Sequence, residues 1–144
     1  PDLTPEARED AAQAYVMNPV HGLSADMGKS IVAEVVAILN HPDYRELFGT
    51  DSMAEVPVTG FIAPDRMISG QIDRIVIKPH EILILDYKTN RPPPTDISSV
   101  PLAYRQQMDT YAQAIAQIYP GRRIRTYLLW TEGAQIMELP FPAP

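Results

Sequence analysis

The chain has no cysteine. That absence excludes disulfides, zinc–thiolate sites and cysteine-ligated iron–sulfur clusters, and it is compatible with a cytoplasmic protein. No apolar run reaches the roughly 20 residues that a membrane span requires. No basic segment followed by an apolar stretch marks a secretion signal. Basic residues are in deficit: 12 Lys and Arg against 18 Asp and Glu leave a formal net charge of −6. Free-standing proteins that grip nucleic acid tightly usually present a basic face. Such a role here needs an acidic centre neutralised by a bound cation, with other domains holding the phosphates.

What is present describes one soluble globular domain. At 144 residues, with 45% hydrophobic and 21% charged residues, the chain can bury a single core. It opens without methionine and closes on Pro-Phe-Pro-Ala-Pro, which is the expectation for a domain excised from a longer protein. Residues 1–50 read as a helical N-terminal part. Thr4, Pro5 and Glu6 form a helix start that should run to about Met17 and stop before Asn18-Pro19. A second helix follows Ser24, with Met27, Ile31, Val35, Ile38 and Leu39 as its expected apolar stripe, and a short helix is expected from Pro42 to Leu47.

Residues 54–139 read as a β-rich core. Glu55 to Ile62 alternates, Ala63-Pro64-Asp65 turns, and Met67 to Ile77 returns. Ile82 to Lys88 is apolar on both faces until Asp86, the pattern of a central strand covered by helices. Asn90 to Val100 has three consecutive prolines and no periodicity, so it reads as a loop. A long amphipathic helix is predicted over Leu102 to Ile118, then strands over Ile124 to Trp130 and Gln135 to Leu139. The fold class is α/β, with a mixed central sheet flanked by helices.

The chemistry concentrates between two of these strands. Side chains alternate along a strand, so Asp86 and Lys88 share a face. If residues 71–77 and 82–88 form a hairpin closed by Lys78 to Glu81, Ile77 faces Ile82 and Ile75 faces Ile84. The same register sets Asp73 opposite Asp86 and Gln71 opposite Lys88. Opposed carboxylates repel unless a cation lies between them. Magnesium favours hard oxygen ligands, often one or two carboxylates with water and phosphate, and Lys88 would orient the attacking water or neutralise developing charge. The backbone carbonyl of Tyr87 is a further candidate ligand. The plainer alternative is a cross-strand Asp–Lys salt bridge with a second surface Asp. On the helix at 102–118, Tyr104, Gln107, Tyr111 and Ile115 share one face. Core packing accounts for most such stripes, but a glutamine inside one needs partners. Arg91 lies near the proposed site and is a candidate DNA contact, whereas Arg122, Arg123 and Arg125 read better as a solvated strand edge. Gly28-Lys29-Ser30 lacks the spacing of a phosphate-binding loop.

Gly70-x-x-Asp73-Arg74, Asp86-Tyr87-Lys88-Thr89 and Tyr104-x-x-Gln107-x-x-x-Tyr111, in this order, resemble the RecB-like branch of the PD-(D/E)xK nucleases. The flanks Ala54 to Val58 and Tyr119 to Arg122 further resemble the C-terminal nuclease domains of AddA-type helicase–nucleases. The resemblance implies a restriction-endonuclease-like core and a single nuclease domain. It implies Mg2+-dependent deoxyribonuclease activity of exonuclease type, with Mn2+ able to substitute, in double-strand-break processing for recombinational repair. Asp73 and Asp86 would bind metal and Lys88 would be catalytic. Gln107, Tyr111 and Tyr104 would help position substrate, and Glu55 would lie beside the site without ligating. The implied partners are single-stranded DNA from unwound duplex, helicase domains of the same polypeptide and an AddB-like subunit, with no membrane. The family usually adds a ligating histidine on a preceding helix. Pro1 to Arg8 resembles the segment just after that helix, so the histidine is expected outside this chain, and neither His21 nor His41 sits in a matching context. Two other readings stay open: a non-catalytic DNA-tracking or subunit-docking module on the same fold, or a domain inactive through truncation.

Overall fold

The computed structural model describes residues 3–141, so the expectations that rest on Pro1, Asp2 and the last three residues fall outside it. Helix α1 (Pro5–Val16) begins where Thr4 accepts a hydrogen bond from the Ala7 N–H, and it ends at Met17 as its sequence predicts. Helix α2 (Ala25–Asn40) is capped by Ser24. A short 3-10 segment, Pro42–Phe48, leads into the strands. These are β1 (Ser52–Ala63), β2 (Arg66–Ile77), β3 (Glu81–Lys88), β4 (Arg123–Trp130) and β5 (Gln135–Leu139), with helix α3 (Leu102–Ile118) between β3 and β4.

The five strands form one mixed sheet in the order β1-β2-β3-β4-β5. Neighbours are antiparallel except β3 and β4, which run parallel because α3 carries the chain back across the sheet. Strand β3 is central, as its double-sided apolar pattern requires. Its even-numbered residues Ile82 and Ile84 lie under α3 with Met108, Ala112 and Trp130. Its odd-numbered residues Leu83 and Leu85 face Ile38, Leu47 and Phe48 on the other side. The loop at 90–100 includes one short 3-10 turn, Ile97–Ser99, capped reciprocally by Asp96 and Ser99. Among the described residues, no helix is long and apolar enough to cross a membrane.

Helix α2 departs from its expected stripe. Met27 and Val35 are 55% and 39% exposed, while Gly28, Val32 and Ile38 are buried. The end of α1 crosses α2 at Gly28 so closely that an added Cβ would lie 3.0 Å from Met17 Sδ and 3.2 Å from Val16 Cγ1. That approach turns the Gly28 side of α2 inward and leaves Met27 outside.

The far end of the sheet is tied by charge. Arg125 on β4 donates from Nε and Nη2 to the two carboxylate oxygens of Glu138 on β5 at 2.8 and 2.7 Å. This fork holds the Glu138 carboxyl below its ordinary range. A depressed carboxylate stabilises the fold above its unfolded-state pKa, and that contribution fades as pH falls through the folded value. The pair is partly solvated, so Glu138→Gln should cost less than about 1 kcal/mol at neutral pH. Urea titrations of both proteins should show the difference disappearing under acid conditions where both forms are protonated.

Candidate active site

The site forms where the ladder between β2 and β3 opens. The predicted pairs Ile77–Ile82 and Ile75–Ile84 are present, and the ladder continues to Arg74–Leu85 and stops there. One position further, Asp73 and Asp86 do not join it. The Tyr87 backbone N–H instead donates to Asp73 Oδ2 at 2.7 Å, so a carboxylate replaces the missing strand partner. The expected Gln71–Lys88 opposition is likewise absent from the ladder, and the Gln71 side-chain amide donates to Glu55.

Strand β2 also changes face here. Gly70 and Ile72 lie toward α3, yet so does Ile75, and the inward–outward alternation must therefore break once between Ile72 and Ile75. The neighbouring strand breaks with it. Glu55 adopts φ +55, and the β1–β2 pairs skip from Ala54–Arg74 to Val56–Ile72. A paired irregularity of this kind re-aims side chains at one level of a sheet, and Asp73 stands at that level. On the opposite face Arg74 holds the strands together. It donates to the Tyr87 hydroxyl at 3.1 Å and to Ser52 Oγ at 2.8 Å, and its guanidinium lies 5.3 Å from the Phe48 ring centre. The alternating residues of Asp73-Arg74 and Asp86-Tyr87 thus serve two faces at once.

Toward α3 the polar groups converge. Asp86 is buried, with 4% of its surface exposed, and Lys88 Nζ lies 2.6 Å from its Oδ2. Lys88 donates to Gln107 Oε1 at 2.8 Å, and Gln107 Nε2 donates to Asp86 Oδ1 at 3.2 Å and to the Tyr111 hydroxyl at 3.4 Å. Tyr111 donates in turn to the Gln71 carbonyl at 3.0 Å. The glutamine that stood out in an apolar stripe therefore bridges both members of the ion pair. Burial holds the Asp86 carboxyl above its ordinary range; Lys88 opposes that shift and the Asp73 charge adds to it. Asp86 Oδ2 is buried and, despite its ion pair, meets no donor in hydrogen-bond geometry.

Other predicted residues lie outside this cluster. Glu55 is exposed and reaches the site only through Gln71. Arg91 is exposed in the segment leaving β3. His21 packs against Tyr15 and His41 stacks on Tyr44, each in the N-terminal helical part. Glu81 pairs with Arg123, and Lys88 with Trp130. At about 3.3 Å per residue, the arginines at 122–125 thus lie some 20 Å from Lys88. Two contributors carry no signal of their role in the sequence: Arg74, a motif residue beside Asp73, and Asn90, whose Oδ1 accepts from the Tyr104 hydroxyl at 2.6 Å.

A family model for the PD-(D/E)XK nuclease superfamily matches residues 4–137. The chain belongs to this superfamily. An ATP-dependent helicase/nuclease protein from Streptococcus equi subsp. zooepidemicus is 34% identical over 70 residues, 49% of this chain and 6% of that protein. One of the same description from Lacticaseibacillus casei is 25% identical over 114 residues, 79% of this chain and 9% of that protein. The chain thus spans only 6 to 9% of the length of these curated relatives. A solved structure from Eubacterium rectale that carries an exonuclease assignment covers 97% of this chain and 60% of its own, with a TM-score of 0.51 and 11% identity. That likeness bears on the fold alone, and the mixed five-stranded sheet with its helices is the PD-(D/E)XK nuclease fold.

Nucleases of this superfamily generally use divalent metal ions. Among the described residues no group of three or more His, Cys, Asp or Glu side chains is placed to hold one. The acidic groups at hand are Asp73 and Asp86, both hard oxygen donors, and the buried Asp86 Oδ2 is held by the Lys88 ion pair without a hydrogen bond in regular geometry. This set fits a cation that completes its shell with water and phosphate oxygens.

The glycine of the first motif has a local explanation. A Cβ on Gly70 would lie 2.9 Å from Tyr111 Cε1 and 3.0 Å from its hydroxyl, and that ring is held by its bonds to Gln71 and Gln107. Gly70→Ala should destabilise the domain by about 1–3 kcal/mol through overpacking. In a Tyr111→Ala background the same change should cost almost nothing. Urea denaturation of the four proteins measures the coupling, and equal costs in both backgrounds would rule out the contact as the reason for the glycine.

Proposed function

We propose that this domain hydrolyses phosphodiester bonds in single-stranded DNA, using a magnesium ion held by Asp73 and Asp86, with manganese able to substitute. The observation that carries this reading is the buried Asp86 carboxylate, paired through Oδ2 with Lys88 at 2.6 Å, where the sheet opens toward Asp73. A bound divalent cation supplies Lewis acidity at a phosphoryl oxygen and acidifies an attached water. The Tyr87 carbonyl is a further candidate ligand at the same opening.

The chain's own groups have separable tasks. Asp73 is anchored through Oδ2 by the Tyr87 N–H, and its carboxylate is proposed to face the cation. Lys88 carries its positive charge into a nearly dry setting, with a side chain 11% exposed, where a cation stabilises developing phosphoryl charge more strongly than in water. Water attacks phosphorus, the bond to the leaving sugar oxygen breaks, and that oxygen takes a proton. Gln107 fixes Lys88 and Asp86 relative to each other, and Tyr111 fixes Gln107 to β2. Gln107 and Tyr111 are thus proposed to position the substrate through the lysine and the carboxylate, and Arg91 to meet the DNA backbone outside the cluster.

The helicase/nuclease names of the relatives support a place within a larger machine. In this reading helicase domains of the same polypeptide deliver unwound single strands, an AddB-like subunit completes the assembly, and the product serves recombinational repair of double-strand breaks in the cytoplasm. A domain that serves DNA tracking or subunit docking without catalysis is the competing outcome.

End-labelled single-stranded DNA incubated with Mg2+ or Mn2+ should be degraded, and Asp86→Ala and Lys88→Ala should each lower the rate by about a hundredfold or more. Cleavage that survives both substitutions would overturn the assignment, and none by the wild-type chain would favour the docking module or a domain inactive through truncation. Calorimetric titration with Mn2+ tests the carboxylates separately: Asp73→Ala should weaken binding, and unchanged affinity would remove Asp73 from the ligand set.

A further inference from the structure

Lys88 has three N–H donors. Asp86 Oδ2 at 2.6 Å and Gln107 Oε1 at 2.8 Å account for two partners. The third is an aromatic face: the Tyr104 ring centre lies 4.1 Å from Nζ, within cation–π range. The ring is itself held from the far side, because its hydroxyl donates to Asn90 Oδ1 at 2.6 Å. Asn90 is two residues beyond Lys88, in the segment that leaves β3. A short closed circuit therefore runs from the ammonium through the ring to the asparagine and back along the backbone.

We propose that Asn90 and Tyr104 form a latch that positions the Lys88 ammonium. The proposal rests on the nuclease reading above and adds to it two positioning residues that act through Lys88. Under that reading, Asp86 Oδ2 is also the oxygen that a bound cation would claim, so the lysine's ion pair is the contact most exposed to competition. Gln107 and Tyr104 then keep the ammonium in place. Gln107 is fixed by Asp86 and Tyr111, whereas among the described residues the Tyr104 side chain hydrogen-bonds to Asn90 alone. Releasing that hydroxyl frees the ring to turn off the ammonium. The ring supplies attraction without a directional bond, so it can hold Lys88 at rest and still yield that donor to a phosphoryl oxygen.

The test compares wild type, Asn90→Ala, Tyr104→Phe and the double variant. The chain has three lysines, Lys29, Lys78 and Lys88, so the Lys88 Hε resonances can be assigned by comparison with Lys88→Arg. In wild type these protons should be shifted upfield by the Tyr104 ring, and both single variants should shrink the shift. Each should lower kcat by about three- to tenfold, the effect of losing one net hydrogen bond, with KM within about twofold. The double variant should be no worse than either single one, since both break the same contact. Retention of the upfield shift in both single variants would overturn the latch, as would losses in kcat that multiply in the double variant. Absence of any wild-type activity would bear on the nuclease reading instead, favouring the docking module or a domain inactive through truncation. The latch would then be decided by the resonances alone, with an unshifted wild-type lysine counting against it.

Discussion

The structure of the site depends on one substitution of partners: a carboxylate standing where a strand should be. A backbone N–H in a sheet must be satisfied, and that of Tyr87 is satisfied by Asp73 Oδ2 rather than by a carbonyl of β2. This lets β2 and β3 part after Arg74–Leu85 without leaving a buried donor empty. The same bond fixes the Asp73 side chain at the mouth of the opening. Glu55, with its positive φ, makes the matching break in β1. Such backbone costs about 1–2 kcal/mol for a residue other than glycine, so the geometry around Asp73 is sustained by its surroundings rather than by local preference.

Those surroundings brace the opening from both faces. Below the sheet, Arg74 links Ser52, Tyr87 and the Phe48 ring. Above it, α3 lays Gln107 across Asp86 and Lys88, and Tyr111 closes onto Gly70 and the Gln71 carbonyl. A buried carboxylate is expensive to desolvate, and an ion pair offsets the cost only when its remaining polar groups are also met. Here one oxygen of Asp86 is met by Gln107 and the other by the Lys88 ammonium. Every polar group of the cluster therefore has a partner, and the one at Oδ2 is an ion pair rather than a directed hydrogen bond.

Much of this could be read from the chain. Alternation in 71–77 and 82–88 gave a register that holds through four ladder pairs, because both strands are apolar on their buried faces and a one-residue slip would expose them. The bounds of α3 and the central place of β3 follow from equally strong patterns. The single odd residue in the α3 stripe, Gln107, was a correct signal of buried polar contacts. Three features escaped. The turned face of α2 comes from a close crossing at Gly28, which depends on where α1 lies. The break at Glu55 and Asp73 is a backbone conformation with no marker residue, since nothing in a glutamate predicts φ +55. Asn90 looked like a loop residue because its partner, Tyr104, is distant in sequence.

The charge of the site bears on the deficit of basic residues in the chain. Asp73 and Asp86 with Lys88 leave this level of the sheet with one net negative charge, inside a protein of net charge −6. Left so, the opening would repel a phosphate. On the proposed reading a divalent cation between the carboxylates would reverse the local sign, and in a site of low dielectric the local charge outweighs screened charges many ångströms away. The arginines at 122–125 cannot take that part from the opposite end of the sheet, where Arg125 is already committed to Glu138. On that reading, attraction for a polyanion would arise at the site itself and in whatever adjoins it, and overall acidity is no objection to the nucleic-acid substrate proposed.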